Sequence, residues 1–261
     1  MKGRYHILER LKGRVAMIAG ASTGIGRATA LRLAAEGADV IVGSPSVEQS
    51  LIASLVEEIR DGGGQALGLA FDAANDASIA AFVAAGVAHF GGIDVFHANF
   101  ADLSIVAHDT DAITVSEEIL DRTLDVNLKG MLRATRHAVP RLLERGGGAM
   151  IYTSSGAAIQ GLPVMPCYAM AKSGLHALVR HVASRWGKDN VRANAILPGF
   201  VITPEKASIT PREAVEQVLA TCRSPRLGRP EDIAAMVAML ASSDGEWING
   251  QCYVVDGGML I

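Results

Sequence analysis

Seven short apolar runs, separated by stretches with helical periodicity, limit most strongly what this chain can fold into. They are Arg14–Ala19, Asp39–Val42, Ala66–Phe71, Ile93–Ala98, Ala149–Thr153, Val191–Leu197 and Cys252–Val255. A strand with one wet face alternates apolar and polar residues, whereas these runs are continuously apolar and so belong to strands covered on both faces. Between the runs lie segments long enough for a helix, as parallel strands require for their crossovers. Gly37 and the triplet Gly62-Gly63-Gly64 stand where the first two helices should stop. The pattern predicts a doubly wound α/β fold: a seven-stranded parallel sheet flanked by helices on both faces.

Nothing divides the chain further. It has no linker, repeat or low-complexity segment, so 13–261 reads as one domain and 1–12 as an N-terminal arm. Its 261 residues, 49% of them apolar, suffice for one large core. A net charge of −3 with mixed signs gives no footprint for nucleic acid. The longest uncharged stretch, Gly146 to Ala171, is broken by glycines, serines and prolines and reads as strand, loop and helix start, not a membrane span. Cys167, Cys222 and Cys252 are scattered, without metal-ligand spacing, and are expected as small buried residues. With no apolar leader at the start, a reducing cytoplasm is the expected compartment. Ser116-Glu117-Glu118 opens a helix that should run toward Leu143, with irregularity at Asn127 or Pro140.

Gly20-Ala21-Ser22-Thr23-Gly24-Ile25-Gly26 directly follows the first run and opens a helix. Glycines there permit a tight turn and let backbone N–H groups approach a pyrophosphate, so the expected domain is Rossmann-type. Sites of this kind often carry an acid at the end of the second strand, where it binds the adenosine ribose and repels a 2′-phosphate. Here that strand ends in Gly43-Ser44-Pro45, and Arg27 is the nearest cation that could attract a phosphate. The expectation is NADP ahead of NAD, opposed by the nearby Glu48.

Tyr168 and Lys172 lie four residues apart on a predicted helix, hence on one face and one turn from each other. A free phenol, with a pKa of about 10, is a poor acid or base at neutral pH, and a neighbouring ammonium lowers that value. The pair reads as a tuned proton donor. Ser155 lies thirteen residues before Tyr168.

Together these residues resemble the short-chain dehydrogenase/reductase family, and the likeness covers nearly all of the chain after residue 12. The glycine loop fits the family's Thr-Gly-x-x-x-Gly-x-Gly pattern with Ala19 in place of threonine. The resemblance implies a catalytic set of Asn127, Ser155, Tyr168 and Lys172. Tyr168 would pass the proton, Lys172 would lower its pKa and hold the nicotinamide ribose, Ser155 would position the substrate oxygen, and Asn127 would hold a water. It also implies a cofactor held by Gly20, Ser22, Thr23, Gly24, Ile25, Gly26, Arg27, Ser44, Asp72, Ala73, Asn99, Tyr168, Lys172, Pro198, Gly199, Val201 and Thr203. Where the family has Asn-Asn-Ala-Gly this chain has Ala98-Asn99-Phe100-Ala101, a departure expected to reshape the cofactor floor.

The implied activity is interconversion of an alcohol and a ketone with NADP or NAD. The alternative is a non-redox or regulatory protein on the same fold, against which the intact Ser155–Tyr168–Lys172 set argues. Ser155, Gln160, Leu162 and Phe200 are the candidate substrate contacts, with Phe100 and Met165 beside them. The long segment Ala101–Val115, carrying His108, Asp109 and Asp111, and the segment with Glu205, Lys206 and Arg212 point to a small or medium, moderately polar substrate. The resemblance further implies a homotetramer or homodimer, for which Ala234–Leu240 and Met259-Leu260-Ile261 are candidate interface residues.

Overall fold

The computed structural model describes residues 9–203, 207 and 210–261. Most of the expected arm, together with Glu205 and Lys206, lies outside the described residues. The chain alternates strand and helix: β1 (Val15–Ala19), α1 (Gly24–Ala35), β2 (Asp39–Ser44), α2 (Gln49–Asp61), β3 (Ala66–Ala70), α3 (Asp76–Phe90) and β4 (Val95–Ala98). It continues through α4 (Glu117–Leu124), α5 (Gly130–Glu144), β5 (Gly148–Thr153), α6 (Pro166–Trp186), β6 (Val191–Pro198), α7 (Arg212–Thr221), α8 (Pro230–Ala241) and β7 (Cys252–Val255). All seven strands pair in parallel, in the order β3-β2-β1-β4-β5-β6-β7.

Period-two geometry explains the two cores. On β1, Val15, Met17 and Ala19 point into one apolar cluster with α3, α5 and α6. Ala16 and Ile18 point into the other, with α1, α2 and α8. Both faces are sealed, which is why the strands read as unbroken apolar runs. Val237, Ala238 and Leu240 belong to the second cluster, and they and Ala234 are 0–1% exposed. These four are buried in the protein's own core, while Ala235, Met236 and Met239 of the same segment are half-buried.

The helix opened by Ser116, whose hydroxyl accepts the Ile119 N–H at 3.4 Å, runs through α4 into α5 with one interruption. Residues Asp125–Lys129 form a π-helical turn, and Asn127 sits inside it. Pro140 is accommodated within α5. Because strand order reverses between β1 and β4, a crevice opens at the carboxyl ends of these strands.

Candidate active site

The β1–α1 turn builds the anion-binding end of that crevice. Gly20 is left-handed, with φ 86°, and a Cβ on it would meet the Phe100 backbone at 2.9 Å. A Cβ on Gly26 would stand 1.9 Å from the Gly20 carbonyl oxygen. Only glycine lets the loop lie this close to the chain that follows β4. Thr23, at the N-cap of α1, makes no side-chain cap, and the first turn holds no acid. The first-turn amides and the positive end of the helix dipole are thus left for an anion, and a dinucleotide's pyrophosphate fits that donor set.

The ribose end differs from the expectation. Ser44 lines the cleft with little exposure, and its Oγ accepts the N–H groups of Ala21 and Ser22 at 3.2 and 3.1 Å, so it also braces the glycine loop. Arg27 is ion-paired with Glu58 on α2 and is absent from the cleft lining. Glu48 does line the cleft, held there by the Ser22 hydroxyl, which donates to its carboxylate at 2.6 Å. Asp72 and Ala73 line the same end. The Asp72 carboxylate accepts the Ala74 N–H at 2.9 Å.

At the other end, α6 carries Tyr168 and Lys172 into the cleft beside Ser155. Ser155 and Tyr168 line the same wall, and the Ser155 Oγ accepts the Ala157 N–H at 3.2 Å. Burial raises the phenol's pKa, and the neighbouring Ser155 hydroxyl works in the opposite direction. Lys172 is 1% exposed, and burial pushes its ammonium down to about 8. Its Nζ lies 5.6 Å from the Tyr168 ring centroid and donates to the Thr153 carbonyl at 3.0 Å. Desolvation thus sets both groups: it raises the phenol, against the expected lowering, and it lowers the ammonium.

Asn127 lies beneath the cleft, fully buried and not part of its lining. Its Oδ1 accepts the Asp102 N–H at 2.9 Å, while Nδ2 is buried with no partner among the described residues.

Thr153 links the two ends of the cleft. Its hydroxyl donates to Asn99 Oδ1 at 2.8 Å, and Asn99 Nδ2 donates to the Gly20 carbonyl at 2.8 Å. Since that hydroxyl's hydrogen is committed to Asn99, the 2.9 Å contact with His97 Nε2 requires the imidazole to donate. Burial holds His97 neutral, with its pKa down at about 3. The glycine loop, β4, β5 and Lys172 are joined through one residue.

The cleft holds about 870 Å³. Pro198, Gly199, Phe200, Val201 and Thr203 close its third side. Phe100 lines it with its ring turned into the core, 5.1 Å from the Phe71 ring centroid, so the floor is filled from below and not blocked. Gln160 and Leu162 are absent from the lining, as is Met165. After Ser155 a short turn, with Gln160 N–H on the Gly156 carbonyl at 3.1 Å, carries the chain outward and leaves Gln160 exposed. Asp102, Leu103, Ser104 and Arg122 line the cleft and were not anticipated. Asp102 and Arg122 are ion-paired at 2.8 Å across twenty residues, a pairing that no local motif announces.

A family model described as enoyl-(acyl carrier protein) reductase matches residues 20–260. A probable short-chain type dehydrogenase/reductase of Bradyrhizobium diazoefficiens is 35% identical over 96% of this chain and 89% of its own length. Among solved structures, a 7α-hydroxysteroid dehydrogenase complexed with NADH and 7-oxoglycochenodeoxycholic acid superposes with a TM-score of 0.89. It is 28% identical and covers 98% of both chains. A short-chain dehydrogenase from Burkholderia cenocepacia in complex with NADP gives a TM-score of 0.87 at 28% identity, covering 97% of this chain and 100% of that one.

Proposed function

The chain belongs to the short-chain dehydrogenase/reductase family and is an NAD(P)-dependent oxidoreductase acting on CH–OH groups, and from that premise we propose the roles of its residues, its cofactor preference and its assembly. A nicotinamide held in the cleft would supply or accept the hydride. Tyr168 Oη gives its proton to the ketone oxygen in reduction and takes one from the alcohol in oxidation. Ser155 Oγ orients that oxygen and stabilises charge developing on it. Lys172, bound to the Thr153 carbonyl, holds positive charge beside the phenol. Asn127 stands below them and ties the loop after β4 to the site through its bond to Asp102 N–H.

The observation that carries this reading is the meeting of Ser155, Tyr168 and Lys172 on one wall of a cleft that ends at the uncapped start of α1. A phenol whose pKa is raised keeps its proton at neutral pH, so ketone reduction is the favoured direction there and alcohol oxidation gains as pH rises.

For the cofactor, the geometry supports NAD over the NADP that the sequence favoured. The Glu48 carboxylate stands in the cleft wall beside Ser22, where it would repel a 2′-phosphate, and Arg27 is occupied by Glu58. Gly20, Ser22, Thr23, Gly24 and Ile25 would hold the pyrophosphate, and Asp72, Ala73 and Asn99 the adenosine. Pro198, Gly199, Val201 and Thr203 would hold the nicotinamide. Phe200 and Ser155 remain the substrate contacts. The protein is read as a cytoplasmic homotetramer or homodimer with a domain over 13–261, and no helix among the described residues is long and apolar enough to cross a membrane.

A panel of ketones and alcohols with NADH, NADPH, NAD and NADP in parallel, followed by absorbance of the reduced nicotinamide, tests the reading. Turnover of at least one ketone, faster with NADH, is expected. No turnover across the panel by folded, cofactor-binding protein would count against it.

A further inference from the structure

The first turn of α6 is completed by a residue far away in sequence. Met165 occupies its N-cap in a left-handed conformation, φ 65°, with no side-chain cap. Pro166 has no N–H, and the Ala169 N–H closes on the Met165 carbonyl at 3.0 Å. That leaves the amides of Cys167 and Tyr168 without helical acceptors. Both donate to one carboxylate: Asp109 Oδ1 accepts Cys167 N–H at 3.2 Å, and Oδ2 accepts Tyr168 N–H at 2.8 Å. Asp109 is 2% exposed, and its backbone carbonyl accepts the Met165 N–H at 2.8 Å.

The segment that brings Asp109 there also walls the cleft. Asp102, Leu103 and Ser104 line it, and Asp102 N–H is bound to Asn127. The loop after β4 is therefore pinned twice, once to Asn127 and once to the backbone of the residue that carries the phenol. A buried carboxylate with two amide donors at the positive end of a helix makes a strong, directional tie.

We infer that Asp109 is a positioning residue for the reaction, capping the catalytic helix from the substrate-side loop and so fixing Tyr168 against Ser155 and the cleft wall. This rests on Tyr168 being the proton donor. If the cap is lost, the first turn of α6 is free to tilt and the loop to withdraw. A misplacement of about 1 Å at a reacting group costs about 10²-fold in rate. The cofactor end, built by the β1–α1 turn, is untouched by that change.

The test compares Asp109→Ala and Asp109→Asn with wild type on a ketone that wild type reduces, with thermal melts showing that each variant is folded at the assay temperature. Asp109→Ala is expected to lose about tenfold or more in kcat, with KM for the cofactor within about twofold of wild type. Asp109→Asn, whose side-chain carbonyl still accepts an amide, is expected to recover to within about threefold of wild type. Should Asp109→Ala fail to fold, Asp109→Ser, too short to reach both amides, replaces it with the same expected loss. Folded Asp109→Ala with kcat within about twofold of wild type, or Asp109→Asn as slow as Asp109→Ala, would overturn the positioning role. Tyr168→Phe is assayed on the same ketone. Loss there without loss in folded Asp109→Ala rejects the inference about Asp109 alone, and full turnover by Tyr168→Phe rejects the reading of the site beneath it.

Discussion

Lys172 shows what the site costs the fold. An ammonium that titrates near 8 when folded and near 10.5 when unfolded is held charged at neutral pH against desolvation. Between these values the unfolded chain binds more protons, so stability rises with pH across that window and the penalty is fully present below it. Replacing the charge by a similar apolar chain, Lys172→Met, should remove on the order of 2–3 kcal/mol of that penalty and lose roughly 1 kcal/mol from the bond to Thr153. Differential scanning calorimetry at pH 7 should show Tm raised by about 3–6 °C. The gain should narrow as pH approaches 10. An unchanged or lowered Tm at pH 7 would show that Lys172 is not held charged at a cost. Glu48 is the second residue with a measurable consequence. Removing its carboxylate in Glu48→Ala should raise the NADP-to-NAD ratio of kcat/KM by about tenfold, and a wild type that already uses both equally would contradict its assigned role.

At the scale of elements, the glycine loop is defined by contact. Gly26→Ala would drive a methyl to within 1.9 Å of the Gly20 carbonyl and 2.7 Å of Asn99 Nδ2. The loop must shift, at a cost of about 1–3 kcal/mol. Cofactor affinity, followed by quenching of protein fluorescence, should weaken by about tenfold or more, and unaltered affinity would show that the loop does not set the pyrophosphate site. The elements that sequence reveals are those specified by neighbours along the chain. β1 and β7 follow from continuous apolar runs, the Ser116 start of α4 from its hydroxyl, and the Tyr168–Lys172 face from helix geometry alone. What is hidden depends on distant partners. Asp109 caps α6 across more than fifty residues, Arg27 is taken by Glu58 on the neighbouring helix, and Gln160 is turned outward by a local turn whose direction no side chain announces. In Ala234–Leu240, the residues Val237, Ala238 and Leu240 are taken up by the second core, where α8 packs against α1.

The whole molecule is organised around the sheet's switch point. The cleft needs rigid walls on both sides of β1 and β4, and the two apolar clusters provide them by sealing both faces. At the far end of the sheet β7 is an edge, with Val254 43% exposed and Trp247 and Ile261 nearby in sequence at 96% and 88%. An open edge with apolar side chains is where the proposed association would be seated. Light scattering at micromolar concentration should therefore give a dimer or tetramer mass, and a monomer would remove the assembly from the account.

The central claim is that this cleft transfers hydride with Tyr168 as its proton donor. The direct measurement is ketone reduction by Tyr168→Phe beside wild type, with NADH affinity measured on the same samples. The account predicts NADH affinity within about threefold of wild type and kcat lower by about 10²–10⁴-fold. A Tyr168→Phe protein that binds NADH and reduces the ketone at the wild-type rate would contradict it.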